Sequence, residues 1–263
     1  MFLTILATLT DRLKLSLVSY WNTKPFLYGL RKTGLIKDLD VQLDIPSVGG
    51  KRLLLGVTDI ALAPVITLNS LPKAKVITNY CIGAIGPVQT VCLFSNVEVK
   101  NIKKILLDSH SMTSVKLVKV LTRKWGIDPE FVSPVQLSKE DLGGETAALV
   151  IGDKAFGWHG SFKFTIDLAD AWIQLTGKPF VFAAWIALKP ISEDLEFKLN
   201  AAFETGLENI NAVVEQIKNT EISKQQLIDY FRNNISYRLD SEKRDGMQLF
   251  LKEAVEYEKL ITR

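Results

Sequence analysis

Short apolar runs that end in small polar side chains, each followed by an amphipathic helical stretch, recur along this chain, and that alternation admits few folds. Leu13, Leu15 and Leu17 alternate with Lys14 and Ser16, the period of a strand with one covered face. The strand runs into Ser19-Tyr20-Trp21-Asn22-Thr23-Lys24-Pro25. Pro25 suits the first turn of a helix, where its missing N–H would have no partner anyway, and it keeps Lys24 extended. A tight strand-to-helix turn is therefore expected at Ser19 to Thr23. A helix to about Lys32, stopped by Gly34, and a strand near Val41 to Ile45 should follow.

The pattern continues with a helix around Gly49 to Leu55 and a strand from Asp59 to Ala63, closed by Pro64. Val76 to Cys81 and Val88 to Ser95 read as strands joined by Gly83-Ala84-Ile85-Gly86-Pro87. Ile105 to Asp108 opens a second unit, whose turn Ser109 to Ser114 feeds a helix with Val115, Val118, Leu121 and Trp125 along one side. Ala147 to Ile151 is a buried strand ending in Gly152-Asp153, and Pro179 to Leu188 a long strand that returns the chain to the first unit. From Glu193 onward the pattern is helical, with a break near Arg238 to Asp245. Such alternation predicts an α/β protein with mostly parallel sheets. The charged stretch Val97 to Lys104 is the expected crossing between the units.

Several function classes fall away. The 32 basic and 29 acidic residues leave a net charge of +3 with no long run of one sign, too weak a field for nucleic acid or an anionic membrane. Met1 to Thr10 is apolar but too short to span a bilayer and lacks a basic start, so no membrane insertion and a cytoplasmic location are expected. Cys81 and Cys92 read as two small buried side chains. The two histidines, His110 and His159, have no zinc-ligand spacing, and Gly83-x-x-Gly86 lacks the third glycine of a dinucleotide fingerprint. No metal and no cofactor is therefore expected.

In open α/β sheets ligands gather beyond the carboxyl ends of strands. Three turns carry small polar side chains there: Ser19 to Thr23, Ser109 to Ser114, and Gly152-Asp153. The middle turn has four hydroxyls in six residues, immediately before a helix. That makes either an anion seat, because a helix start presents free N–H groups, or simply a helix cap with spare serines. Asp108 and Asp153 each end a strand, where caps and turn residues are common. These residues fit an enzyme and a binding module equally well.

The order of motifs resembles a known family. Val18-Ser19-Tyr20-Trp21-Asn22-Thr23-Lys24-Pro25 is similar to the opening motif of the chorismate dehydratases, which begin the futalosine route to menaquinone. Asp59 to Pro64, Cys81 to Val91, Ser109 to Val115 and Ile151-Gly152-Asp153-Lys154 match further motifs in order. Thr176 to Ala183 and Asn234 to Leu239 complete the likeness, which runs from about Leu15 to about Glu258. The resemblance implies a two-lobed type II periplasmic-binding-protein-like fold with a cleft between lobes. Its lobes would be residues 1–96 with 187–263, and residues 97–186, with crossings near Ser95 and Ala184. Ile85, Thr90 and Met112 depart from the family pattern, Met112 standing where an arginine is common. A small-carboxylate binding or sensor protein of the same fold, or the sister 1,4-dihydroxy-6-naphthoate synthase, are the alternatives.

The implied reaction is a hydro-lyase step from chorismate to 3-[(1-carboxyvinyl)oxy]benzoate and water. Donors around the ring carboxylate would stabilise charge that delocalises towards it. Ser109, Ser111, Thr113 and Ser114 are the expected carboxylate seats, and Asn22 and Thr90 the groups that orient the ring and its leaving hydroxyl. Ser19, Tyr20, Thr23, Gly86, Gly152 and Asp153 are further expected substrate contacts. No group in these turns is basic at neutral pH without a partner. The expected proton acceptor is the substrate's own enolpyruvyl carboxylate, with His110 a turn residue and Asp153 an acceptor for nearby N–H groups.

Overall fold

A computed structural model describes residues 12–218 and 220–261; the apolar segment Met1 to Thr10 lies outside the described residues. The alternating run near the start forms β1 (Leu13–Val18), and Pro25 sits in the first turn of α1 (Lys24–Lys32), as its fixed φ favours. A left-handed Gly34 (φ 80°) ends the turn beyond α1. β2 (Leu39–Asp44), α2 (Pro46–Leu54), β3 (Ile60–Pro64) and β4 (Lys75–Ala84) complete the first run. The second unit contains β5 (Val91–Ser95), β6 (Lys104–Leu106), α3 (Thr113–Lys124), β7 (Glu130–Val132), β8 (Thr146–Ile151), β9 (Phe164–Asp167) and α4 (Leu168–Thr176). The chain then runs through β10 (Phe180–Ala187), α5 (Glu193–Glu208), α6 (Ile210–Glu215), α7 (Lys224–Asp229), β11 (Ser236–Arg238) and α8 (Ser241–Ile261).

The strands make two sheets, ordered β11-β4-β10-β3-β1-β2 and β7-β6-β8-β5-β9. The expectation of mostly parallel pairing does not hold. β1 is parallel to β2 and β3, and β6 to β7 and β8, but β10 is antiparallel to β3 and β4, β11 to β4, and β5 to β8 and β9. The physical reason is the route of the chain. β10 returns from the second unit and enters the first sheet between β3 and β4, running against both.

Strand pairing also moves the crossings. The chain leaves the first sheet after Ala84 and joins the second at Val91, so Val91 to Ser95 pair wholly within the second sheet. The charged stretch expected as a crossing is a tight turn between β5 and β6 of that same sheet. The return lies between Asp167 and Phe180, because all of β10 pairs in the first sheet. Boundaries after residues 96 and 186 therefore fall later than the change of sheet. Hydropathy cannot reveal this, since β5 and β10 are buried along their whole length whichever sheet they join.

The core of the first lobe is aromatic. Phe26 of α1 meets Trp185, Phe203 and Tyr237 at ring-centroid distances of 5.7, 4.7 and 5.5 Å. α1 lies against α5 through glycine: a Cβ on Gly29 would lie 1.7 Å from the Ala202 carbonyl oxygen, and one on Gly206 1.8 Å from that of Pro25. On α3 the buried face is Leu117, Val118, Val120 and Leu121, while Val115 and Trp125 are only half-buried. Both cysteines are buried and unpaired, as expected. Among the described residues no helix is long and apolar enough to cross a membrane, and no cluster of side chains is arranged to hold a metal ion.

The glycine contact sets a stability test. Gly29→Ala drives a methyl group into backbone that belongs to another helix and cannot rotate away. The expected cost is about 3 kcal/mol, or failure to fold, as for severe overpacking. Urea denaturation measures it, and a loss below about 0.5 kcal/mol would mean that the two helices separate freely.

Candidate active site

The turn after β1 is closed by its own side chains. The Thr23 hydroxyl donates to the carbonyls of Val18 and of Tyr20, the latter at 2.9 Å, so this side chain serves the turn itself. The Trp21 N–H donates across the cleft to both carboxylate oxygens of Asp153, at 3.0 and 3.1 Å. The Tyr20 phenol lies 3.3 Å from His110 Nδ1, and the Ser47 N–H donates to the His110 carbonyl at 3.1 Å. The Tyr20 ring rests on Gly152, whose φ is +75° and where a Cβ would lie 2.7 Å from the ring. Glycine is required there both by the left-handed backbone and by the approach of the ring.

The hydroxyl turn is anchored by Asp108. This buried carboxylate accepts from the His110 N–H at 3.1 Å and the Ile151 N–H at 3.2 Å, and pairs with Lys154 at 2.8 Å. Ser111 Oγ accepts from the Ser114 N–H at 3.0 Å, capping the first turn of α3. Thr113 Oγ1 is buried with no partner. Asn22 Oδ1, in the opening turn, is in the same position.

These turns line a cavity that opens to solvent on one side. Eight of the expected residues line it: Tyr20, Asn22, Thr23, Thr90, Ser111, Thr113, Ser114 and Gly152. Ser19, Gly86, Ser109 and Asp153 do not. Ser19 and Ser109 are exposed to solvent, and Asp153 is held behind the cavity by the Trp21 N–H. Apolar side chains complete the lining, among them Ile82, Val88, Met112 and Phe182 with Pro46 and Pro64. Met112 reaches across the cleft to α2: a Cβ on Gly50 would lie 2.9 Å from its sulfur.

Sequence reasoning missed the second row. The Tyr230 phenol lies 3.0 Å from Thr90 Oγ1, and the Tyr237 phenol donates to the Asn22 carbonyl at 3.0 Å. Tyr237 stands inside a noted motif, Asn234 to Leu239, but nothing local marks Tyr230. Preceding Thr90, Gln89 takes a left-handed φ of 64°, and its N–H donates to Asp167 at 2.6 Å.

Burial keeps the phenols of Tyr20 and Tyr230 protonated, well above the ordinary tyrosine range, with Asp153 adding to both. They act as neutral hydrogen-bonding groups. Burial also pushes the Asp153 carboxyl up to about 7, against the pull of the Trp21 N–H and the Lys24 ammonium. The folded state therefore holds this proton more tightly than the unfolded chain, whose Asp titrates near roughly 3.9. The resulting stability is complete below the unfolded value and is lost as pH rises through about 7. Asp153→Asn should flatten the stability profile between about pH 4 and 7, read by urea unfolding at each pH. A variant with the wild-type slope would assign that titration to another group.

A family model described as menaquinone biosynthesis matches residues 13–256. The chain is 25% identical over 256 residues to a chorismate dehydratase of Thermus thermophilus, covering 90% of this chain and 93% of that protein. Among solved structures, protein AF1704 from Archaeoglobus fulgidus is similar with a TM-score of 0.67 at 12% identity, over 94% of this chain and 97% of its own. The CA3427 gene product of Candida albicans, which exhibits the generic periplasmic binding protein fold, matches with a TM-score of 0.62 at 13% identity, over 92% of this chain and 89% of its own. The expected two-lobed periplasmic-binding-protein-like fold is thus the observed one. Because the family match runs through both sheets and all three turns that line the cavity, the chain belongs to the menaquinone-biosynthesis family.

Proposed function

We propose that the protein is a chorismate dehydratase, forming 3-[(1-carboxyvinyl)oxy]benzoate and water without a metal or cofactor. One observation carries the reading beyond family membership. Of five buried side-chain polar atoms without a partner among the described residues, two, Asn22 Oδ1 and Thr113 Oγ1, belong to residues that line the cavity. Each such atom costs roughly 1–3 kcal/mol unless a ligand supplies the missing bond. The remaining lining is largely apolar and suits a carbocyclic ring. Ser111, Thr113 and Ser114, at the start of α3, combine hydroxyls with the partial positive charge of a helix end, which supports a carboxylate seat there.

The reaction removes the ring proton beside the enolpyruvyl ether and the neighbouring hydroxyl. As that proton leaves, charge spreads through the ring double bond towards the ring carboxylate, where each well-aimed donor is worth about 3 kcal/mol. No lysine, arginine, histidine or carboxylate lines the cavity. His110 bonds to Tyr20 and Asp153 to the Trp21 N–H, both outside the lining. This supports the substrate's enolpyruvyl carboxylate as proton acceptor, tethered within reach so that proximity supplies several kcal/mol. The proton and the departing hydroxyl then leave together as water.

Purified protein is expected to convert chorismate with no added metal or cofactor, read as loss of the cyclohexadiene absorbance with the product identified by mass. Binding without turnover would replace the enzyme with a carboxylate-binding module. Thr113→Ala and Ser111→Ala should each weaken chorismate binding by about 1.5–3 kcal/mol, the worth of a hydrogen bond to a charged group, as measured by calorimetry. Normal binding by both variants would leave the turn as a helix cap only. Asn22→Ala should nearly abolish turnover, while His110→Ala and Asp153→Asn lower it modestly. A loss of ~10³-fold in either of the last two with binding intact would identify a protein base.

A further inference from the structure

The C-terminal helices contribute a residue to the site that none of the motif turns contains. Between α7 and β11 the backbone widens into a π-helical turn, Tyr230–Asn234. Such turns re-aim side chains that a regular helix would leave against its neighbours, and they recur at functional sites. Here the turn carries Tyr230, 1% exposed, to the back of the cavity. Its phenol is 3.0 Å from Thr90 Oγ1, and the side chain of Asn22 is its other polar neighbour. Phe156 packs edge-on against the ring at 5.2 Å and itself stacks on Trp21 at 5.8 Å. The phenol therefore joins the opening turn of the first lobe to the crossing segment that leads into the second.

Donor counting gives this junction a direction. Asn22 can donate only through Nδ2. With Nδ2 turned to the phenol oxygen, Oδ1 is left without a protein partner, which is what the structure shows. The phenol then gives its single hydrogen to Thr90 Oγ1. Thr90 keeps its own hydrogen for a ligand, since its other acceptor, the Val88 carbonyl, is a long 3.5 Å away. Asn22 Oδ1 is then an acceptor that needs an O–H. Chorismate carries one hydroxyl, the one that leaves, and its two carboxylates offer only acceptors.

We propose that Tyr230 is a positioning residue for the dehydration: by linking the Asn22 amide to the Thr90 hydroxyl, it sets an acceptor and a donor towards the leaving hydroxyl of the substrate. This rests on the dehydratase reading above. Tyr230 acts through its two neighbours and does not line the cavity itself.

The test compares Tyr230→Phe with Tyr80→Phe. Tyr80 is equally buried and loses a phenol bond of 2.8 Å to Glu204, but it does not line the cavity. Both variants should unfold at similarly lowered urea midpoints. Only Tyr230→Phe should lower kcat, by ~10–100-fold, with KM within about threefold of wild type, as expected for an interaction realised in the transition state. Thr90→Val combined with Tyr230→Phe should be no slower than the worse single variant, because the two groups act as one unit. Wild-type kcat in Tyr230→Phe, a loss matched by Tyr80→Phe, or effects that multiply in the double variant would each overturn the positioning role while leaving the dehydratase reading intact. Absence of turnover by the wild-type protein would overturn that reading, and the positioning role with it.

Discussion

Two aspartates at strand ends hold the geometry on which the cavity depends, and both turn their carboxyl oxygens to backbone N–H groups. Asp108 ties the hydroxyl turn to the end of β8 through the His110 and Ile151 N–H groups. Asp153, one residue beyond the left-handed Gly152, reaches to the other lobe and takes the Trp21 N–H. A carboxyl group that accepts N–H groups in a site sheltered from water satisfies donors that would otherwise be left without partners. Both anchors therefore refer to one point, the end of β8. The opening turn, the hydroxyl turn and Gly152 meet there although they are far apart along the chain.

The proposed carboxylate seat has no cation in its lining. Lys154 lies nearby but is paired with Asp108, and Met112 turns its thioether across the cleft to the notch at Gly50. What remains to face a carboxylate is a set of hydroxyls and the first turn of α3. Preorganised neutral donors suit a reaction in which charge builds and then disappears, because they need no rearrangement at the moment of reaction. A fixed cation would hold substrate and product carboxylates alike, adding to binding without distinguishing the transition state.

The second row shows why the C-terminal third belongs to the site. α5 presses against α1 through Gly29 and Gly206, which fixes the height of the opening turn. β11 closes the edge of the first sheet against β4 and presents Tyr237 to the Asn22 carbonyl. The π-helical turn adds Tyr230 to Thr90. Asn22 and Thr90, which carry much of the proposed chemistry, are thus held from behind by two tyrosines of one short segment.

The sequence by itself determined the elements and the turns. The alternation at Leu13 to Leu17, Pro25 at the head of α1, and the hydroxyls before α3 are local signals, because period, proline geometry and helix ends are properties of neighbouring residues. Together with the family resemblance, from which alone Thr90 was named, they identified eight residues that line one cavity. Only the tertiary structure decided which sheet each buried strand joins, so the crossings moved to residues 85–90 and 168–179 and β10 entered the first sheet against its neighbours. It also decided which hydroxyls of a turn face inward: Thr113 does, while Ser109 faces solvent. Strand pairing and side-chain direction depend on contacts between residues remote in sequence, and Tyr230, set 140 positions from Thr90, has no local pattern that could announce its partner.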